Sequence, residues 1–208
     1  MNHCPYESEA TNTIYNLLYC DDLTPYRAKF TGEPEGPWKV LFAQPPDNDA
    51  LRTLAETSSA ESRVRILAFN ALDEKFVATR PKELLGVVIE VGLDDGLDTL
   101  AAYSDLSARY INQSGKMIIW ETTELAMDEK IRNLIGASQR VVEKIGSWDQ
   151  ARLPPPAKGL MRMTFLVSDG LYFGQGPMGA LQSDPLAAPV VAAAHELLLE
   201  LTSRATTK

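Results

Sequence analysis

The side chains that could do chemistry in this chain are few, and histidine is the scarcest. Only His3 and His195 occur, so a Ser–His or Cys–His nucleophile would have to recruit one of them. His3 stands in a polar leading segment. His195 falls mid-helix in Ala193-Ala194-His195-Glu196-Leu197, on the border of an apolar stripe. No serine sits in a G-x-S-x-G setting, so conventional triad hydrolysis is disfavoured. His3-Cys4 and Cys20-Asp21-Asp22 match no zinc spacing. Asp94, Asp95 and Asp98 surround Gly96 but lack the EF-hand spacing and its terminal Glu, and read as turn residues. Gly174-Gln175-Gly176-Pro177-Met178-Gly179 is a literal G-x-G-x-x-G after a strand. Dinucleotide binding needs a helix opening inside that loop, whereas the expected helix start is Asp184, and too little chain follows for a ribose-binding acid. The segment reads as a loop leaving a hairpin. No cofactor and no metal are expected.

Two charged groups fall inside an otherwise apolar β-rich stretch. Glu90 interrupts the strand Leu84–Val91 and must reach solvent, a partner or a shifted pKa. Arg109 is expected between Tyr103 and Trp120, where its guanidinium could stack on aromatic faces and present itself to a carboxylate. The plainer readings are an edge carboxylate and an arginine covering apolar surface with its stem. A ligand site beside these strands would use Arg109 to hold an anionic group, Tyr110, Asn112 and Gln113 to orient it, and Glu90 or Glu121 as acid or base.

The element that must position these groups runs from Leu84 to Glu121. β-Branched and aromatic runs alternate there with Asp94-Asp95-Gly96, Asp105-Leu106-Ser107 and Ser114-Gly115, which predicts a four-stranded antiparallel meander. A two-residue loop at Ser114-Gly115 pairs Ile111 with Ile118 and Arg109 with Trp120. Centring the preceding turns on Leu106 and Asp95 sets Arg109 opposite Tyr103 and Ile89 beside Ala101. In any register both faces are apolar, so both must be covered.

Around the meander, Ile14, Leu17 and Leu18 predict a short helix ending near Cys20. Trp38–Gln44 reads as a strand stopped by Pro45-Pro46. Asp47 or Asn48 caps a helix holding Leu51 and Leu54, and Ser59–Phe76 forms a second, making a helical hairpin; a strand over Val64–Phe69 is the alternative. Residues 123–145 form a helix whose stripe includes Ile131, Leu134, Ile135 and Val142. Leu153–Gly159 is a stiff connector, Met161–Val167 and Leu171–Phe173 form a hairpin, and the last helix opens at Asp184-Pro185. Strands segregated from helices in this order define an α+β class: a meander sheet over about 84–121, plus a hairpin near 161–175, covered by amphipathic helices.

The 208 residues fit one globular domain, with residues 1–12 as a flexible tail. Acidic residues outnumber basic ones 28 to 20 and no Lys/Arg cluster appears, so nucleic-acid and anionic-membrane partners are disfavoured. No apolar run is long enough to span a bilayer, no leader is evident, and two cysteines give no disulfide framework, which fits a cytoplasmic protein. The leading expectation is a non-enzymatic module that binds a protein partner or itself. The alternative is a binding protein for a small anionic ligand, or an enzyme using acid–base carboxylates, with its site beside the meander.

Overall fold

The computed structural model describes residues 2–28, 30–72, 77 and 80–205. Among the described residues, five short helices come first: α1 (Glu9–Leu17), α2 (Thr24–Ala28), α3 (Pro37–Leu41), α4 (Asn48–Glu56) and α5 (Ser62–Ala71). The meander follows as β1 (Leu84–Gly92), β2 (Leu97–Tyr103), β3 (Ala108–Ile111) and β4 (Met117–Trp120). Then come α6 (Leu125–Val142), β5 (Leu160–Val167), β6 (Gly170–Pro177), α7 (Met178–Ser183) and α8 (Ala188–Ala205). All six strands form one antiparallel sheet in the order β4-β3-β2-β1-β5-β6. The expected α+β class holds, and β1 lies inside the sheet with a strand on each side.

Both faces are covered. On one, Val87, Ile89, Leu100, Ala102, Phe165 and Tyr172 pack against Ile131, Leu134 and Val142 of α6 and Val190, Leu197 and Leu201 of α8. On the other, Leu85, Val88, Ala101, Tyr103 and Ile111 meet Tyr15 of α1, Leu51 of α4 and Ile66 and Leu67 of α5. This double burial explains why β1 shows no alternation: a strand wetted on neither face needs no polar side. Ile135, expected in the stripe of α6, is only partly buried, and Leu134 and Ile131 are fully buried.

The registers differ from expectation because one turn is longer, one is displaced by a residue and one is shorter. Asn112 N–H donates to Lys116 O, leaving Gln113, Ser114 and Gly115 as a three-residue loop. Gly115 takes φ +80, and Asn112 Oδ1 accepts from the N–H groups of Ser114 and Lys116. That is a turn closed by a left-handed residue, which adds one position relative to a two-residue loop. Arg109 therefore pairs with Ile119, and Trp120 with Ala108. The β2–β3 turn has the same form, with Leu106 at φ +70, and sets Arg109 opposite Ala101. The β1–β2 hairpin closes on Asp94-Asp95, pairing Glu90 with Thr99.

Several helical readings also change. Trp38–Gln44 is not a strand: Pro37 opens α3, and Trp38 packs on Phe42 one turn later with ring centroids 5.5 Å apart. Asp47 caps α4 as expected, its carboxylate accepting from Asp49 and Ala50 N–H. The second helix of the hairpin is shorter than 59–76 and spans Ser62–Ala71; residues 73–76 lie outside the described residues. Asp105 in the β2–β3 turn accepts from Ser62 N–H at 2.7 Å, so the meander itself caps α5. The leading segment is held rather than trailing as a tail, with Tyr6 buried and Ser8 capping α1. The G-x-G-x-x-G stretch is mostly strand: Gly174 and Gly176 lie in β6, and Gly179 in the six-residue α7. Asp184 caps the turn ahead of α8, accepting from Leu186 and Ala187 N–H. Among the described residues no helix is long and apolar enough to cross a membrane.

Candidate functional site

The candidate residues divide between the two faces of the sheet. Arg109 and Tyr103 lie on the face covered by α1 and α5, while Tyr110 and Trp120 lie on the α6–α8 face. The expected Arg109–Tyr103–Trp120 stack is thus corrected: a one-residue change of register moves a strand's side chains to the opposite face. Trp120 instead has the Arg204 guanidinium 6.0 Å from its ring, and Arg63 takes the place over Tyr103, also at 6.0 Å. Arg109 is buried, and its donors are engaged within the chain by the carbonyl oxygens of Ala108 and Trp120 and by the Glu121 carboxylate. Burial and the neighbouring Arg63 charge hold its pKa below the usual arginine value. An arginine so occupied has little to offer an anion. Asn112 serves its own turn, and Gln113 N–H donates to Asp98 at 2.7 Å. The six groups of the anionic-ligand reading do not converge.

Glu90 departs furthest from its plainer reading. It is not an edge carboxylate but a fully buried one, in the row Ile111–Thr99–Glu90–Arg162–Gln175 across the sheet. Oε1 accepts from Tyr15 Oη at 2.6 Å. Oε2 stands 3.6 Å from Arg162 Nη1 and accepts no hydrogen bond among the described residues. Arg162 is in turn fixed by Gln175 Oε1 and by the carbonyls of Leu153 and Pro154 in the stiff connector. A second arginine, Arg152, binds Asp21 and Asn16 and lies 3.9 Å from the centroid of the Tyr19 ring. Tyr6 Oη bonds Thr99 Oγ1 at 2.9 Å. Burial lifts the Glu90 carboxyl above its ordinary range, against the pull of Tyr15 and Arg162. Tyr15 is itself pushed up by burial and by the carboxylate. The constellation has the composition of an acid–base site. With no exposed surface at Glu90, it acts as a polar clamp joining α1, the sheet and the connector. Arg152, Arg162 and Tyr15 were not foreseeable as its members, because each is distant in sequence from Glu90.

No family model, curated protein or solved structure matches this chain. Function must therefore be argued from the surfaces that the fold leaves unused. Among the described residues no group of three His, Cys, Asp or Glu side chains is placed to hold a metal. Cys20 is buried and its thiol is pushed up to about 12, which removes it as a nucleophile.

The outer edge of β4 is what stands open. Asn112 N–H bonding to Lys116 O fixes the ladder, so by alternation Ile118 and Trp120 turn their backbone groups toward β3, and Met117 and Ile119 turn theirs outward. Ile119 is 53% exposed. A groove between β4 and the end of α8, lined by Met117, Ile119, Trp120, Leu201 and Arg204, runs along this edge. Trp120 Nε1 is buried without a hydrogen-bond partner among the described residues. The other edge is blunted. Trp148 N–H already bonds Leu171 O, and β6 ends on Pro177, which has no N–H to give.

Proposed function

We propose that this protein is a non-enzymatic cytoplasmic module that associates with a second copy of itself through β4. The observation that carries the reading is the unprotected β4 edge, a short apolar strand with outward backbone groups and a half-exposed isoleucine. Such an edge is a ready template for strand addition, and natural proteins usually blunt it with charge, proline or a covering segment. A two-fold axis at Ile118 sets Met117 of one copy opposite Ile119 of the other, and satisfies both open edges at once. It also sets Lys116 opposite the Trp120 ring, a cation–aromatic contact of about 0.5–1 kcal/mol at an exposed site. The acidic balance of the chain is unsuited to phosphate backbones, which supports a protein partner over nucleic acid.

Sedimentation from micromolar to near-millimolar protein should show a monomer–dimer equilibrium, and Ile119→Lys should abolish the dimer. Because Ile119 is exposed, the thermal midpoint of the monomeric variant should change little, a surface substitution costing about 0.5 kcal/mol or less. A protein that stays monomeric throughout, or a dimer indifferent to Ile119→Lys, removes β4 as the interface.

A further inference from the structure

The α6–α8 face of the sheet carries a cavity that the β4 interface does not use. It measures about 260 Å³ and lies between the α6–α8 face of the sheet, α7 and α8. Ile89 and Leu100 form its floor, Ala194 and Leu198 its roof, and Met161 and Met178 its flanks. The sheet lines one side of this space and α8 the other, so a molecule seated in it would touch both. Gln182 and His195, both exposed, place part of its wall at the protein surface.

The polar groups of the wall are uneven in kind. Tyr110 Oη donates its one hydrogen to Asp98 Oδ2 at 2.9 Å, leaving lone pairs on the phenol oxygen. Burial and the Asp98 carboxylate hold that phenol above its usual pKa, so it stays neutral. Asp98 Oδ1 accepts from Gln113 N–H at 2.7 Å. An ionised carboxylate offers about four lone-pair sites, so this pair of donors leaves acceptor capacity on Asp98. The Asp98–Tyr110 pair therefore carries negative charge and unused acceptors, beside a wall otherwise dominated by aliphatic and thioether side chains.

We propose that this cavity is a binding site for a small amphipathic amine, its alkyl body between the sheet and α8 and its ammonium group against Asp98 and Tyr110. An ammonium supplies three donors and the opposite charge, whereas a carboxylate of equal length would meet Asp98 as a like charge. At about 30 Å³ per water-sized atom, the space suits on the order of nine non-hydrogen atoms. The site is independent of the β4 edge, and its test reads a different signal.

Octylamine and octanoate, matched in length and opposite in charge, are the probes. With the methionine methyl groups isotopically labelled, octylamine should shift the Met161 and Met178 resonances saturably, and octanoate should bind at least tenfold more weakly. Asp98→Asn, which keeps an acceptor but removes the charge, should erase most of that tenfold preference. Ala194→Phe should fill the cavity and abolish both titrations in a protein whose other resonances stay folded. Equal affinity for the two probes, no saturable shift with octylamine, or a preference that survives in folded Asp98→Asn would each overturn the proposal. Should Asp98→Asn fail to fold, the octylamine-to-octanoate ratio of the unaltered protein decides alone.

Discussion

Replacing Arg162 by methionine is expected to cost about 3–5 kcal/mol, the usual consequence of stranding one charge of a buried pair. Glu90 would keep the Tyr15 hydroxyl but lose the cation 3.6 Å away, with no solvent to compensate. Adding Glu90→Gln to that variant should restore much of the loss, because the stranded charge is then gone. Urea unfolding of the single and double variants measures both steps. If Arg162→Met costs less than about 1 kcal/mol, the pair is not what stabilises this part of the sheet. The remaining function of Arg162 would then be to satisfy the connector carbonyls of Leu153 and Pro154.

The same carboxyl gives a signed dependence on pH. Its folded pKa is raised, burial outweighing its partners, so the native chain holds the proton at a pH where the unfolded chain has released it. Stability from this group is fully present below the ordinary glutamate value of about 4.3 and is lost as pH rises through the raised folded value. The unfolding free energy of the unaltered protein minus that of Glu90→Gln should therefore fall as pH rises across that window. A rising difference would mean that Tyr15 and Arg162 prevail over desolvation.

The second large effect is expected in α6. Leu134 is fully buried between that helix and the sheet, so Leu134→Ala should cost about 2–5 kcal/mol through lost transfer energy and the cavity left behind. Ile135, one position on, is only partly buried and should lose clearly less when truncated. The comparison isolates depth, because neighbouring positions with similar side-chain volumes differ chiefly in what they touch. Equal losses at the two positions would place the helix in a different rotation about its axis.

The meander, its double burial and the long stripe of α6 were legible because each repeats one signal over many residues. The registers were not, and the reason is local. The sequence Ser114-Gly115 suits a two-residue loop as well as the end of a three-residue one. What decides is that Asn112 Oδ1 gathers the N–H groups of its own turn. That choice moved Trp120 away from Arg109 and broke up the expected cluster. Trp38–Gln44 failed for a related reason, since aromatic and branched residues favour strands, yet here Pro37 and the Trp38–Phe42 contact favour a helical turn. The Glu90 clamp was half legible: a charge inside an apolar strand announces a partner, but Tyr15 is 75 positions away and Arg162 arrives only after the meander and α6. Asp98 read as a turn residue, and its bond to Tyr110 came from a register that the sequence left open.

The place of β1 in the sheet sets an order of events when the chain folds. On one side it meets β2 across a tight hairpin, a contact closed within a few residues. On its other side it must wait for β5, which follows β2, β3, β4 and the whole of α6. Contacts distant in sequence carry the larger loop-closure cost and slow folding. The seam between β1 and β5 is thus a late-forming joint of the molecule. Until it closes, Glu90 lacks Arg162, and the hydrophobic flank of β1 lies open to other chains. During synthesis, that flank stays uncovered for the whole interval between the emergence of β1 and that of β5.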